Sequence, residues 1–415
     1  MLRFLTAGES HGKGLVTIID NFPAGVKIDG DFIDGKLALR QSGYGRGARQ
    51  KIETDKIEFL SGVRGGYTTG SPISFFIKNK DYENWKERMD AYKPVPEETR
   101  IHIPRPGHAD FAGSLKYGLD DIRNVLERSS ARETASRVAA GAIFQTLLKK
   151  FDIEFASAVL SIGTETGTAG KGIDFEKKGS DLKSDPFFPI FPIDLFDETM
   201  RRNVENSELR MPYPEAEEKA KALIDKIKAE GDTVGGLITA QAKGVPVGLG
   251  SFTQWDEKLD GHIAMSLMSI QAIKSVEIGS GVKSAFVKGS EYHDSIYYGK
   301  KGSDFAKGKG EAGGFYRKTD NAGGIEGGMS NGGIISVRCA MKPIPTLMKP
   351  YLDTVDLKTG EAKKAFLERS DICAVPAASV VAEAALAFSI CYFFLKKFGG
   401  DSLDEIKRNY DGYVK

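Results

Sequence analysis

The stretch Arg128-Ser129-Ser130-Ala131-Arg132-Glu133-Thr134-Ala135-Ser136-Arg137-Val138-Ala139-Ala140-Gly141-Ala142 decides the fold class. Ser130 followed three residues later by Glu133 matches a capping box, so a helix is expected over 131–151. Arg128 and Arg132 flank its start, where free N–H groups and the positive helix end favour an oxyanion. Capping alone would need Ser130 and Glu133 but neither arginine, so both readings stand together. A second helix is expected over 215–230, with Ala220, Leu223, Ile224 and Ile227 as its apolar stripe. Around these helices lie strand-like runs at 14–20, 72–77, 235–248 and 333–342. In the last run Val337, Cys339 and Met341 alternate with Arg338, Ala340 and Lys342, the period of a half-buried strand. Strands and helices mix without a regular βαβ alternation, which predicts an α+β fold.

The most apolar segment, 377–395, carries Glu383 midway and ends in Lys396-Lys397-Phe398-Gly399-Gly400. A carboxylate inside a span is costly, so a buried helix is expected, in the core or at a subunit interface. The chain has 415 residues, enough for two or three average domains. Its motifs nevertheless run from residue 6 to residue 371 and must converge, which predicts one integrated domain over 1–415. Residues 163–214 and 298–317 read as long loop insertions, and 80–100 as a further surface loop.

Hydrophobic content of 40% and charged content of 28% are those of a soluble globular enzyme. A net charge of +1 gives no global field for nucleic acid or an anionic membrane, so neither partner is expected. Cys339, Cys373 and Cys391 are too few and scattered for a disulfide framework or a zinc site, so no metal is expected. They fit a cytoplasmic location, as does the absence of an apolar leader after Met1.

Two of the five histidines sit in glycine-flanked loops crowded with reactive groups. His11 lies in TAGESHG at 6–12, next to Ser10, and His108 lies in RPGHAD at 105–110. Histidine is the usual proton donor or acceptor near neutral pH. Either one alone reads as well as a turn or core histidine. The segment 40–51, RQSGYGRGARQK, sets Arg40, Arg46, Arg49 and Lys51 on a glycine scaffold with almost no local carboxylate. Guanidinium forks bind phosphate and carboxylate oxygens, so this reads as an oxyanion loop. The alternatives are a solvated basic loop or a single-strand RNA binder, for which Tyr44 alone is thin support. The segment 321–333, NAGGIEGGMSNGG, suggests backbone wrapped closely around a planar or phosphorylated ligand. It lacks the strand–turn–helix setting of a dinucleotide fingerprint, and no Walker A motif occurs. Asp371 follows Arg369 and Ser370, and reads either as an ion-pair partner or as a placed base.

Taken in order, these motifs resemble the chorismate synthase family. TAGESHG, SGYGRGARQKIE, RPGHAD, RSSARETASRVAAGA, GVPVGLG, MSIQAIKSVEIG, NAGGIEGGMSNG, KPIPT and RSDICAVPAASVVAEA span nearly the whole chain. The resemblance implies a single-domain β-α-β sandwich that assembles as a homotetramer. It implies a lyase of aromatic amino acid biosynthesis that turns 5-enolpyruvylshikimate 3-phosphate into chorismate and phosphate. The reaction is an anti-1,4-elimination without net redox change that requires reduced FMN. Arg40, Arg46, Arg49, Arg105 and Arg132 match positions that hold the substrate. His11 matches the proton donor near the leaving phosphate, and His108 the histidine at the flavin N1/O2 edge. Asp371 matches the carboxylate near flavin N5, implicated in removing the C6 proton by way of the flavin. Ser10 and Ser130 match supporting polar positions. For FMN the family pattern points to Arg128, Ser129, Ser130, Gln271, Ala272, Gly327, Lys342, Pro343, Ile344, Pro345, Thr346 and Arg369. Gln271 departs from the asparagine of many members but keeps the amide. No nicotinamide fingerprint is visible, so reduction by an external flavin reductase is expected. An NADPH-dependent reductase activity of the chain itself stays open. Two other readings remain: another flavin enzyme acting on a phosphorylated anion, and an RNA-binding module.

Overall fold

The computed structural model describes residues 1–47, 54–166, 193–299, 314–365 and 371–414. Two antiparallel sheets enclose a layer of helices. The first contains β1 (Arg3–Ala7), β2 (Gly14–Asp20), β3 (Ile57–Ser61) and β4 (Ile73–Lys78), in the order β1-β2-β4-β3. Leu15, Thr17 and Ile19 of β2 and Ile73, Phe75 and Ile77 of β4 point inward and are buried, while Ile18 faces out. That is the period of two that puts alternate side chains on one face. The second sheet contains β5 (Glu154–Ile162), β6 (Glu165–Thr166), β7 (Gly236–Lys243), β8 (Ile273–Ile278) and β9 (Ile335–Met341), in the order β8-β9-β7-β5-β6.

Helices α1 (Gly30–Gln41), α2 (Asp110–Tyr117), α3 (Arg123–Ser129), α4 (Thr134–Leu148), α5 (Pro214–Glu230), α6 (Leu259–Met268), α7 (Val375–Phe398) and α8 (Leu403–Val414) complete the frame. α4 packs on the first sheet and α7 on β5 and β7 of the second, and the two helices pack on each other. Gly141 makes that crossing possible, because a Cβ there would lie 2.4 Å from the Cβ of Ala384. All of α4 but Arg137 is buried, as a helix apolar on every side must be. One continuous apolar core joins both sheets through these helices.

α7 is long and apolar enough to cross a membrane, yet most of it is buried within the protein. Its Glu383 meets Lys36 of α1, accepts from Gln145 Nε2 at 3.1 Å and from Ser157 Oγ at 2.8 Å. Burial pushes this carboxyl up, but the charge and bond of Lys36, the charge of Arg210 and the bond from Ser157 together outweigh it and hold the group below the usual range. The expected core helix is therefore present, with its one carboxylate fully partnered.

Two local expectations differ from the structure. The 131–151 segment is a 3-10 turn (Ala131–Glu133), then α4, then a second 3-10 turn (Lys149–Phe151). The capping box is only half made: Ser130 Oγ accepts from the Arg132 N–H at 3.3 Å. Glu133 turns away to Thr6, Arg137 and Gln271 instead. The alternation in β9 also fails, since Arg338 is buried. The chain around Ser280 covers the sheet's outer face there, and Arg338 bonds Glu277 at 2.6 Å and the Ser280 carbonyl at 3.2 Å. The 215–230 helix and its stripe are found as expected, with Ala220 and Ile224 buried. Of the two expected insertions, 163–214 and 298–317, residues 167–192 and 300–313 lie outside the described residues.

Candidate active site

The loop that joins β1 to β2 carries His11. Gly8 opens it at a φ of +108°, and a Cβ there would sit 2.3 Å from the Gly14 carbonyl oxygen. The loop is pinned from two sides. Asn79, at the end of β4, donates from Nδ2 to the carbonyls of Glu9 at 3.0 Å and Gly12 at 2.9 Å. On the other side Glu127 of α3 takes the His11 N–H on Oε2 at 2.7 Å and meets His11 Nδ1 with Oε1 at 2.8 Å. The Glu127 carbonyl also accepts the Ser10 N–H at 3.0 Å. Ser130 Oγ donates to Ser10 Oγ at 3.2 Å, so both supporting serines lie beside His11. Trp85 packs against the imidazole, tilted by 30° with ring centroids 4.1 Å apart.

Next to this loop lies a guanidinium cluster. Arg132 Nε donates to Asn79 Oδ1 at 2.9 Å and its Nη1 to Asp55 Oδ2 at 2.6 Å. Arg40, from the last turn of α1, bonds Thr134 Oγ1 and the Ala131 carbonyl, each at 2.8 Å. Arg46 pairs with Asp371 at 2.9 Å, and the Gly47 N–H donates to the same carboxylate at 2.6 Å. Arg40, Arg132 and Arg46 thus share two carboxylates, Asp55 and Asp371. Burial pushes Arg40 down to about 9, and the nearby charges of Arg132 and Arg46 add to the fall that Asp55 opposes. Among the described residues Arg40 Nη1 and Arg46 Nε are buried and make no hydrogen bond. Buried donors of this kind call for acceptor oxygens.

His108 occupies a second, separate cluster. Its Nδ1 lies 2.5 Å from Asp110 Oδ1, and Arg105 Nε donates to Asp110 Oδ2 at 2.8 Å. Burial raises the Asp110 carboxyl, but bonds from His108 and Arg105 overcome this and hold it far below the usual range. Arg105 Nη1 reaches Thr346 Oγ1 at 3.0 Å, and Lys342 Nζ bonds the Gly107 carbonyl. The segments RPGHAD and KPIPT therefore meet. The Lys342 N–H donates to the Ala272 carbonyl at 2.9 Å, which adds Gln271 and Ala272 to the same region. Gln271 Nε2 donates to Glu133, whose other oxygen takes Thr6 Oγ1, and Arg128 bonds Thr6 in turn. Ala272 holds a φ of +67°, a costly conformation for a residue with a Cβ.

Most expected positions are thus brought together in these linked clusters. Ser129 is an exception, because its hydroxyl bonds the Val125 carbonyl of its own helix. Ile344 uses its carbonyl to accept from Thr233. Gly327 and Gly328 form the turn of a hairpin between Ile325–Glu326 and Met329–Ser330, both at positive φ. A Cβ at Gly327 would meet nothing within 4 Å among the described residues, so its backbone is open to a ligand. Arg49 and Arg369 lie outside the described residues. Glu127, Arg123, Trp85, Asn79 and Asp55 were not anticipated. Glu127 could have been found, since it immediately precedes Arg128-Ser129-Ser130 and stands four residues after Arg123 on one helix.

A family model described as chorismate synthase matches residues 2–395. This chain belongs to the chorismate synthase family. It is 51% identical over 414 residues to the chorismate synthase of Alkaliphilus metalliredigens, with all of both chains covered. It is 48% identical to the chorismate synthase of Aquifex aeolicus, covering all of this chain and 97% of that one. A solved structure titled as the crystal structure of chorismate synthase superposes with a TM-score of 0.73 at 39% identity. The alignment covers all of this chain and 97% of that one. The chain is accordingly an enzyme of this family, a lyase of the shikimate pathway with the family's α+β fold.

Proposed function

We propose that the chain converts 5-enolpyruvylshikimate 3-phosphate to chorismate and phosphate by anti-1,4-elimination, with reduced FMN as a cofactor that is not consumed. The observation that carries this reading is the buried Arg40, Arg46 and Arg132 cluster, which among the described residues holds more guanidinium than carboxylate. A substrate with two carboxylates and a phosphate supplies the missing oxygens. Arg105 completes the substrate set from the second cluster, and Arg49 from outside the described residues.

His11, flanked by Ser10 and Ser130, donates a proton toward the leaving phosphate. Asp371, fixed by Arg46 and the Gly47 N–H, is the group placed to accept the proton that leaves carbon. His108 serves the cofactor rather than the substrate. The residues fit a flavin: among the described residues Gln271 Oε1 is buried without a partner, the Gly327 backbone is open, and strained Ala272 stands beside Lys342. Arg128, Ser129, Ser130, Gln271, Ala272, Gly327, Arg369 and residues 342–346 would hold FMN. The bound group would supply transient electron density to the reacting ring.

Supply of reduced FMN by an external flavin reductase, a homotetrameric assembly and a cytoplasmic location complete the proposal. Anaerobic turnover with chemically reduced FMN, with and without NADPH, tests it. Chorismate formed without NADPH supports the lyase, and no chorismate from oxidised FMN plus NADPH supports the external reductase. Activity from oxidised FMN plus NADPH would place a reductase in the chain itself. No chorismate under either condition would overturn the reading.

A further inference from the structure

We propose that Glu127 is the positioning residue of His11, presenting its carboxylate to Nδ1 so that Nε2 is the nitrogen that serves the leaving group. The inference rests on the reading of His11 as proton donor. Glu127 is 2% exposed and lies 116 residues from His11 in sequence. Its two oxygens divide their work: Oε2 takes the His11 N–H at 2.7 Å, and Oε1 faces Nδ1 at 2.8 Å. The charged groups facing this carboxylate are His11 from the loop and Arg123, one turn back on α3, whose Nη1 donates to Oε1 at 3.0 Å. Trp85 limits the ring's orientation, since it packs against His11 with centroids 4.1 Å apart and planes tilted by 30°, and it carries the Arg123 guanidinium 4.8 Å from its centroid.

A carboxylate kept only to hold the loop would need the backbone N–H and Arg123. The bond to Nδ1 is the one that reaches the chemistry. An ionised carboxylate can only accept, so Nδ1 carries a proton in both charge states of the ring. The proton that is gained and lost then sits on Nε2, and the carboxylate offsets the positive charge of the donor form. Burial alone would raise Glu127, but the hydrogen bonds and charge of His11 bring it below the usual range, in keeping with an ionised partner.

The test compares Glu127→Gln and Glu127→Asp with the unmodified enzyme, using reduced FMN under anaerobic conditions. In Glu127→Gln kcat should fall by at least about 10²-fold, the range for lost orienting partners of histidine. KM for substrate and reduced-FMN affinity should stay nearly unchanged. The alkaline limb of the kcat–pH profile should move to lower pH, because the imidazolium loses its counter-charge. Glu127→Asp should recover part of the rate. Unchanged kcat in Glu127→Gln overturns the proposal, and so does a loss with an unmoved pH profile. If Glu127→Gln does not fold, 15N chemical shifts of His11 in the unmodified enzyme decide. A neutral ring protonated at Nδ1 supports the proposal, and one protonated at Nε2 overturns it. Failure of the unmodified enzyme to make chorismate would instead remove the reading of His11 on which the proposal stands.

Discussion

His108 Nδ1 and Asp110 Oδ1 lie 2.5 Å apart, two residues along one loop, and the same carboxylate carries Arg105. His11 has its own carboxylate in Glu127. The two histidines are therefore built into separate hydrogen-bonded units, as two proton sites with different duties require. Each should matter on its own. His11→Ala and His108→Ala should each lower turnover by roughly 10²–10⁴-fold, the usual effect of a lost acid–base group. Steady-state rates at saturating reduced FMN check this, and a near wild-type rate in either variant removes that histidine from the mechanism.

Asp110 should also matter for stability. Its folded carboxyl is held below the usual range, so it binds fewer protons folded than unfolded. Its stabilisation is full above the unfolded value of about 4 and is lost as pH falls below that towards the folded value. Asp110→Asn removes one partner of a buried charge group and should cost about 3–5 kcal/mol at neutral pH. Urea unfolding of both proteins should show that gap closing in acid. A gap independent of pH would contradict the account.

Substitutions at Arg40 and Arg49 should separate substrate binding from cofactor binding. Lysine cannot reproduce the guanidinium fork, so Arg40→Lys should raise KM for substrate by about tenfold or more. Its affinity for reduced FMN should change far less. Arg49→Ala should behave in the same way. Titrating each ligand separately checks both variants, and equal losses for the two ligands would count against the assignment.

The sequence made much of this legible because its motifs are local. Strands at 14–20 and 72–77, the 215–230 helix and both histidine loops were readable from periodicity or from a few adjacent residues. What it could not show was pairing over distance. Glu127 meets His11 across 116 residues and Arg132 meets Asp55 across 77. The setting of Glu127, four residues after Arg123 and just before Arg128-Ser129-Ser130, marks it as a candidate, but neither local pattern shows which residue it meets. Glu133 looked like a cap because its spacing from Ser130 fits, yet Thr6, Arg137 and Gln271 together compete better for its oxygens. Arg338 looked exposed because alternation describes one strand and not the chain laid over it.

The helix crossing offers a test of the fold itself. Gly141→Val places a branched side chain against Ala384, where even a Cβ would lie at 2.4 Å. Overpacking of this kind typically costs about 1–3 kcal/mol. A thermal melt should show a lowered Tm, and an unchanged Tm would mean that α4 and α7 do not cross so closely.

The central claim is an elimination in which the flavin is needed but not spent. It is tested most directly by counting phosphate and chorismate released per reduced FMN in the absence of oxygen. The account predicts equal amounts of the two products, many turnovers per flavin, and flavin still reduced at the end. One product per flavin oxidised would contradict it.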